Sequence, residues 1–245
     1  MILVLGGTGE ARELAGALDA DGVPVTSSLA GRIKRPRLPA GAVRIGGFGG
    51  SEALARWLRD NGVTAVVDAT HPFAERISAS AAAACPRAGV PLLRLARPGW
   101  SERPGDRWSW VDDLDAAAAA IPALGERVLL TTGRQGLPAF AALEDVWFLV
   151  RCVEPPEPPL PLRHQLLLDR GPYNLESELG LIDEHRIDLL ITKDSGGTLT
   201  EAKLDAARLR GLPVIVIRRP PRLGGAAVST VAAALAWARE RTHAG

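Results

Sequence analysis

The sequence predicts an α/β protein, with parallel sheets flanked by helices and arranged in two domains. Three observations lead to this. Strand-like apolar runs alternate with helical patterns from the first residue onward. Four of the runs break into polar turns that lead straight into a helical pattern. The alternation is interrupted at 97–106, where two Pro-Gly turns lie among charged residues, and then it restarts.

In the first half, strands are expected near 1–5, 24–29, 42–46, 64–69 and 91–95, with helices near 9–20, 51–61 and 74–88. The alanine-rich stretch at 79–84 reads as a helix interior packed close to a sheet, because it is too short and too interrupted to span a bilayer. The break at 97–106 sets the expected domains at 1–99 and 100–245. In the second half, strands are expected near 108–111, 127–131, 146–153, 165–168, 188–192 and 213–217. Helices are expected near 113–121, 135–143, 175–185, 199–210 and 228–241. The proline run at 155–161 is a stiff extended connector, since each ring fixes φ and restrains the residue before it.

Composition narrows the function classes. The chain has 245 residues, enough for two independent cores, and 29 basic against 28 acidic residues leave a net charge of +1. Nucleic-acid or membrane binding driven by bulk charge is therefore not expected. Two distant cysteines, Cys85 and Cys152, have neither CxxC nor Cys/His spacing, so neither a disulfide scaffold nor a metal site is expected. The opening residues lack the pattern of an export signal, and a reducing cytoplasm is the expected location. Oligomeric state is not legible, and a monomer is compatible with the sequence.

The turns carry the chemistry. Leu189-Leu190-Ile191-Thr192 breaks into Lys193-Asp194-Ser195-Gly196-Gly197, and Thr198 with Glu201 reads as a capping box opening the next helix. Such a turn, between a strand end and a helix N-terminus, suits a phosphate or carboxylate. The same arrangement recurs at Gly6-Gly7-Thr8-Gly9, at Thr70-His71-Pro72 and at Thr132-Gly133-Arg134-Gln135. In an open parallel sheet these turns gather at the carboxyl edge of the strands, where ligands bind.

Gly6-Gly7-Thr8-Gly9 has the placement of a dinucleotide turn, although Arg12 occupies the site of the last glycine in the usual spacing. About 20 residues on, an NAD site would place a carboxylate for the ribose 2′-hydroxyl. Here the chain has Ser27, Ser28, Gly31, Arg32, Lys34 and Arg35. A dinucleotide bound there is expected to be NADP(H), with Arg32 at the 2′-phosphate and Lys34 and Arg35 in a solvated loop. Short-chain dehydrogenase chemistry is excluded, because the only tyrosine, Tyr173, has Ser177 rather than Lys four residues on.

Taken together, Gly6-Gly7-Thr8 with Glu10-Ala11-Arg12, Val67-Asp68-Ala69-Thr70-His71-Pro72-Phe73-Ala74, Arg94-Leu95 through Arg97-Pro98 to Trp100, Thr131-Thr132-Gly133-Arg134-Gln135, Arg170-Gly171-Pro172 and Thr192-Lys193-Asp194-Ser195-Gly196-Gly197 resemble the precorrin-6A reductase family of cobalamin biosynthesis. The resemblance runs over nearly the whole chain in order, with Tyr173 where the family more often has Phe. It implies two Rossmann-like domains facing one another across a cleft that holds the active site. It also implies an NADPH-dependent oxidoreductase acting on a CH–CH bond, which reduces precorrin-6A or cobalt-precorrin-6A to the dihydro product precorrin-6B without metal or flavin. The first domain would bind NADPH, and the second would bind substrate and close the cleft.

On this reading Gly6, Gly7, Thr8, Ser28, Arg32 and Thr70 serve the cofactor. Thr132, Gly133, Arg134, Gln135, Arg170, Asp194, Ser195, Gly196 and Gly197 serve a substrate rich in carboxylates. His71 or Lys193 would donate the proton or position the substrate, and water is a third donor. The plainer alternatives are that His71 caps its helix, that Lys193 and Asp194 form a structural ion pair, and that Thr132 and Ser195 cap strand ends. Trp100, Trp108 and Trp110 are expected to pack at the domain junction. The competing function is a module that senses NADP(H) or a metabolite without turnover.

Overall fold

The computed structural model describes residues 1–31, 37–221 and 224–242, so the expected roles of Arg32, Lys34 and Arg35 lie outside the described residues. The chain forms two compact units, Met1–Pro98 together with Pro220–Gly245, and Gly99–Arg219.

The first unit runs β1 (Ile2–Leu5), α1 (Gly9–Ala20), β2 (Val25–Leu29), β3 (Ala42–Ile45), α2 (Ser51–Asp60), β4 (Ala65–Asp68), α3 (Glu75–Ala88) and β5 (Leu92–Leu95). The second runs β6 (Trp108–Val111), α4 (Leu114–Ala120), β7 (Arg127–Leu130), a 3₁₀ helix (Arg134–Phe140), β8 (Trp147–Cys152), β9 (Arg163–Leu168), α5 (Leu175–His185), β10 (Leu189–Lys193), α6 (Ala202–Leu209) and β11 (Val214–Ile217). Then β12 (Ala226–Val228) and α7 (Val231–Glu240) rejoin the first unit.

Each unit has one six-stranded sheet, ordered β12-β5-β4-β1-β2-β3 and β6-β11-β10-β7-β8-β9. Every pairing is parallel, so the carboxyl ends of the strands share one edge in each sheet. The order reverses between β1 and β4 in one sheet and between β7 and β10 in the other. These are the switch points at which open α/β sheets bind ligands. The four turns singled out in the sequence follow these four strands.

Strands buried on both faces explain the continuous apolar runs. In the first sheet, Ile2, Val4, Ala65 and Val67 pack against Leu14 and Leu18 of α1. Leu3, Leu5 and Val66 point the other way, onto Leu54 and Leu58 of α2 and Ala81 and Ala84 of α3. In the second sheet, Leu129, Leu149, Leu190 and Val214 face Ile182 of α5 and Leu204 of α6. On the 3₁₀ helix, Phe140 meets Phe148 of β8 with ring centroids 5.9 Å apart.

Four expectations are corrected. Residues 220–245 belong to the first unit, because β12 extends the sheet beside β5 and Ala234 and Ala238 of α7 enter the core of α1. The segment expected as a helix at 135–143 is a 3₁₀ helix over Arg134–Phe140, with Pro138 inside it. Thr198 and Glu201 form no capping box, since Thr198 begins a short 3₁₀ turn and α6 starts at Ala202 without a side-chain cap. The Glu201 carboxylate is paired instead with Arg103. His71 does not cap α3, which begins at Glu75 after Ala74.

Candidate functional site

In the first unit, the turn after β1 is tied by hydrogen bonds to the end of β2 and to the turn after β4. The Gly6 N–H donates to Ser28 O at 2.9 Å, joining the glycine turn to the end of β2. The Thr8 hydroxyl donates to Ala69 O at 2.7 Å and accepts the Ala11 N–H at 3.1 Å. Thr8 therefore caps α1 and braces the switch point, and its hydroxyl is committed to that work.

The turn fits the pyrophosphate of a dinucleotide. Gly7 has φ +113°, a conformation that L side chains rarely adopt, and a Cβ placed there would meet nothing within 4 Å. An anion can thus approach the backbone at the start of α1. The first-turn carboxylate that would oppose it, Glu10, is held by Arg97 at 2.7 Å. Burial works to raise the Glu10 pKa, but hydrogen bonds from Arg97, the backbone and Thr8, together with the Arg97 charge, outweigh it and hold the carboxyl below its ordinary value. Strand β2 ends in Ser27, Ser28 and Leu29 without a carboxylate, and the Ser27 hydroxyl is buried without a hydrogen-bond partner among the described residues.

The turn after β4 is organised by Asp68, a buried residue whose role sequence reasoning missed. Asp68 Oδ1 accepts the Thr70 hydroxyl at 2.6 Å and the Thr70 N–H at 3.2 Å, and Oδ2 accepts the Ser78 hydroxyl at 2.6 Å. His71 Nδ1 accepts the Phe73 N–H at 3.3 Å, so a neutral ring carries its proton on Nε2. Beside α3 lies a cavity of about 590 Å³, lined in part by Asp68, Ser78, Cys85 and Arg94. Arg94 is partly buried on β5, and its guanidinium makes no hydrogen bond or ion pair with another described residue, so it could meet an anion. Burial raises the Cys85 thiol to about 11, with the Asp68 charge adding to the shift.

In the second unit, the turns after β7 and β10 adjoin because their strands pair. Thr131 donates from its hydroxyl to Ile191 O at 2.9 Å. Thr132 is buried, and its hydroxyl has no hydrogen-bond partner among the described residues. Gly133 is followed by Arg134, whose Nη1 reaches Pro155 O at 3.5 Å, and Gln135 is exposed. In the turn after β10, Asp194 is buried, accepting the Trp100 N–H at 2.9 Å and pairing with Arg219 at 3.1 Å. Its carboxylate shapes the turn, while Lys193, Ser195 and Gly197 remain partly exposed. Arg170 lies near this turn through Tyr173, whose N–H donates to Leu199 O at 3.2 Å. Trp108 and Trp110 meet edge to face, 5.7 Å between centroids, and pack on the core of this unit.

Beneath these turns lies a buried charged cluster that the sequence did not reveal. Arg151 of β8 and Glu178 of α5 form a two-pronged pair at 2.5 and 3.2 Å. Lys203 of α6 is 4% exposed, with Nζ donating to Thr200 O at 2.8 Å and lying 4.8 Å from the centre of the Trp100 ring. Burial, reinforced by the Arg151 charge, pulls its pKa down to about 7 against the opposing pull of Glu178. Among the described residues, no group of three or more His, Cys, Asp or Glu side chains could hold a metal, and no helix is long and apolar enough to cross a membrane.

The model of the family described as precorrin-6x reductase CbiJ/CobK matches residues 1–239. A precorrin-6A reductase of Rhodococcus erythropolis is 56% identical over 238 residues, covering 96% of this chain and 96% of that protein. One of Mycobacterium tuberculosis is 51% identical over 238 residues, again with 96% of each chain covered. The solved structure of a CobK precorrin-6A reductase is similar at a TM-score of 0.93 and 42% identity, covering 98% of this chain and 96% of that one. With the family match spanning almost its full length and relatives above half identity, the chain belongs to the precorrin-6x reductase CbiJ/CobK family.

Proposed function

We propose that this protein is an NADPH-dependent precorrin-6A reductase, which reduces one carbon–carbon double bond of the macrocycle to give precorrin-6B. The observation that carries the reading is the placement of the glycine turn at the β1/β4 switch point, with Glu10 neutralised by Arg97 and no carboxylate ending β2. Gly6, Gly7 and the start of α1 would hold the pyrophosphate, and Ser28 and Arg32 the 2′-phosphate side. NADPH, when bound, supplies the hydride.

The protein's part is to position and to recognise charge. Arg134, Arg170, Lys193 and the Ser195–Gly197 backbone would take carboxylates of the macrocycle, and Arg94 adds a guanidinium beside the first unit's cavity. Thr70 and Asp194 would act through the shape of their turns, given that their polar atoms are already engaged. His71, with its Nε2 proton, and Lys193 are the candidate proton donors. The reaction belongs with the biosynthetic enzymes of the cytoplasm.

The test is anaerobic mixing of protein, NADPH and precorrin-6A, following loss of the reduced-nicotinamide absorbance. Substrate-dependent oxidation is expected, faster with NADPH than with NADH. Binding of NADPH without turnover would instead favour the sensing module. Arg32→Ala should raise KM for NADPH and leave that for NADH unchanged; equal effects on both would remove Arg32 from the 2′-phosphate.

A further inference from the structure

A lysine on the buried face of a short helix is costly, because an ammonium leaves water for surroundings that solvate it poorly. Lys203 stands on α6 beside the buried Leu204, Ala206 and Ala207, where an unbranched apolar side chain would serve packing better. Among the described residues its charge has no carboxylate within ion-pair distance, and both oxygens of Glu178 are taken by Arg151. What the ammonium does contact is the turn above it. Nζ donates to Thr200 O at 2.8 Å and lies against the Trp100 ring, whose Nε1 donates to Gly197 O at 3.1 Å. The backbone N–H of the same Trp100 is held by Asp194 at 2.9 Å, and the neighbouring Leu199 O accepts the Tyr173 N–H at 3.2 Å. Tyr173 in turn lies on Arg151, 4.0 Å from its ring centre. Carbonyls of one turn, at Gly197 and Thr200, are thus fixed by the buried Trp100 and Lys203, and the one between them, at Leu199, by the half-buried Tyr173.

We infer that Lys203 is a positioning residue, which holds the 194–200 turn in the shape that presents Lys193, Ser195 and the Gly196–Gly197 backbone to the substrate. It acts through Thr200 O and Trp100. The inference rests on the proposed reduction, with that turn on the macrocycle.

Lys203→Met keeps the stem and removes the donor. Its thermal midpoint at pH 7 is expected to equal or exceed that of the wild type. In contrast, kcat/KM for the macrocycle falls by about 10- to 100-fold, as for a turn displaced by up to an ångström, with KM for NADPH little changed. Amide hydrogen exchange over 195–200 should quicken while that of β10 stays slow. Lys203→Arg, which retains a donor for Thr200 O, should recover part of the lost kcat/KM if it folds. Unchanged turnover in the folded Met variant overturns the inference, as does an activity loss matched by lost stability with unchanged exchange. If the wild-type protein fails to oxidise NADPH with precorrin-6A, the proposed reduction fails, and exchange alone decides whether Lys203 fixes the turn.

Discussion

Asp194 holds Trp100 across 94 residues of chain, its carboxylate accepting the tryptophan N–H at 2.9 Å. The same side chain pairs with Arg219 at 3.1 Å, and Arg219 Nε also donates to the Asp194 carbonyl at 2.9 Å. Since the second unit spans Gly99–Arg219, one buried carboxylate fastens both of its ends to the turn after β10.

That closure leaves no space beside Gly99. A Cβ there would stand 2.5 Å from Asp194 Oδ2 and 3.0 Å from Oδ1. The carboxylate cannot swing away without giving up Trp100 and Arg219, so Gly99→Ala should cost about 1–3 kcal/mol through overpacking. For a protein of this size that corresponds to a thermal midpoint lower by about 2–12 °C. Asp194→Ala, which leaves the Trp100 N–H without its acceptor, should cost about 1–3 kcal/mol. A denaturant titration that finds Gly99→Ala as stable as the wild type would remove the close contact.

Asp68 makes a comparable centre in the first unit, and it separates two roles for Thr70. Thr70→Val and Ser78→Ala each remove one donor from a buried carboxylate, and each should lower stability by about 1–3 kcal/mol. If Thr70 served only to touch the cofactor, its valine variant would keep full stability and raise KM for NADPH alone. Equilibrium unfolding together with steady-state kinetics on both variants decides between the two.

Most strand positions and the four polar turns at strand ends were legible because a parallel strand buried on both faces writes a continuous apolar run, and the turn that ends it must be polar; the order of the strands within each sheet was not. Local pattern does not record which partner a polar side chain finds. Asp194 reads as a substrate residue or as half of an ion pair with Lys193, and Asp68 carries no role in the sequence, yet their partners lie at Trp100, Arg219 and Ser78. Lys203 is the clearer case: a lysine among helix formers ordinarily marks a solvated face, and only the fold turns that face inward. The return of 220–245 was hidden because β12 is three small residues, Ala226, Ala227 and Val228, whose strand character comes from pairing with β5 rather than from propensity. Arg32, the residue expected at a 2′-phosphate, lies outside the described residues.

Both cysteines should be inert in the folded protein. Burial raises the Cys85 thiol to about 11 and also raises Cys152, where the Arg134 charge only partly opposes it. Since the thiolate is the reacting species, a neutral disulfide reagent near pH 8 should modify neither residue until the chain is unfolded, when both react. Rapid labelling of Cys85 in the native protein would mean that the cavity beside α3 admits water and reagent to the sulfur.

Lys203 should leave a mark on stability as a function of pH. Its folded pKa lies near 7 against an ordinary 10.5. The unfolded chain therefore binds more protons than the native one between those values, and stability rises with pH across that interval. Below pH 7 both states carry the charge, and the full penalty of burying it is present; above 10.5 neither does. Lys203→Met removes this contribution, so the difference in unfolding free energy between variant and wild type should be largest near pH 6–7, favouring the variant, and should shrink toward pH 10.5. Denaturant unfolding of both proteins at several pH values measures that difference directly. A pH-independent difference would mean that the ammonium is as well solvated in the fold as in water, against its burial beneath Trp100 and Thr200.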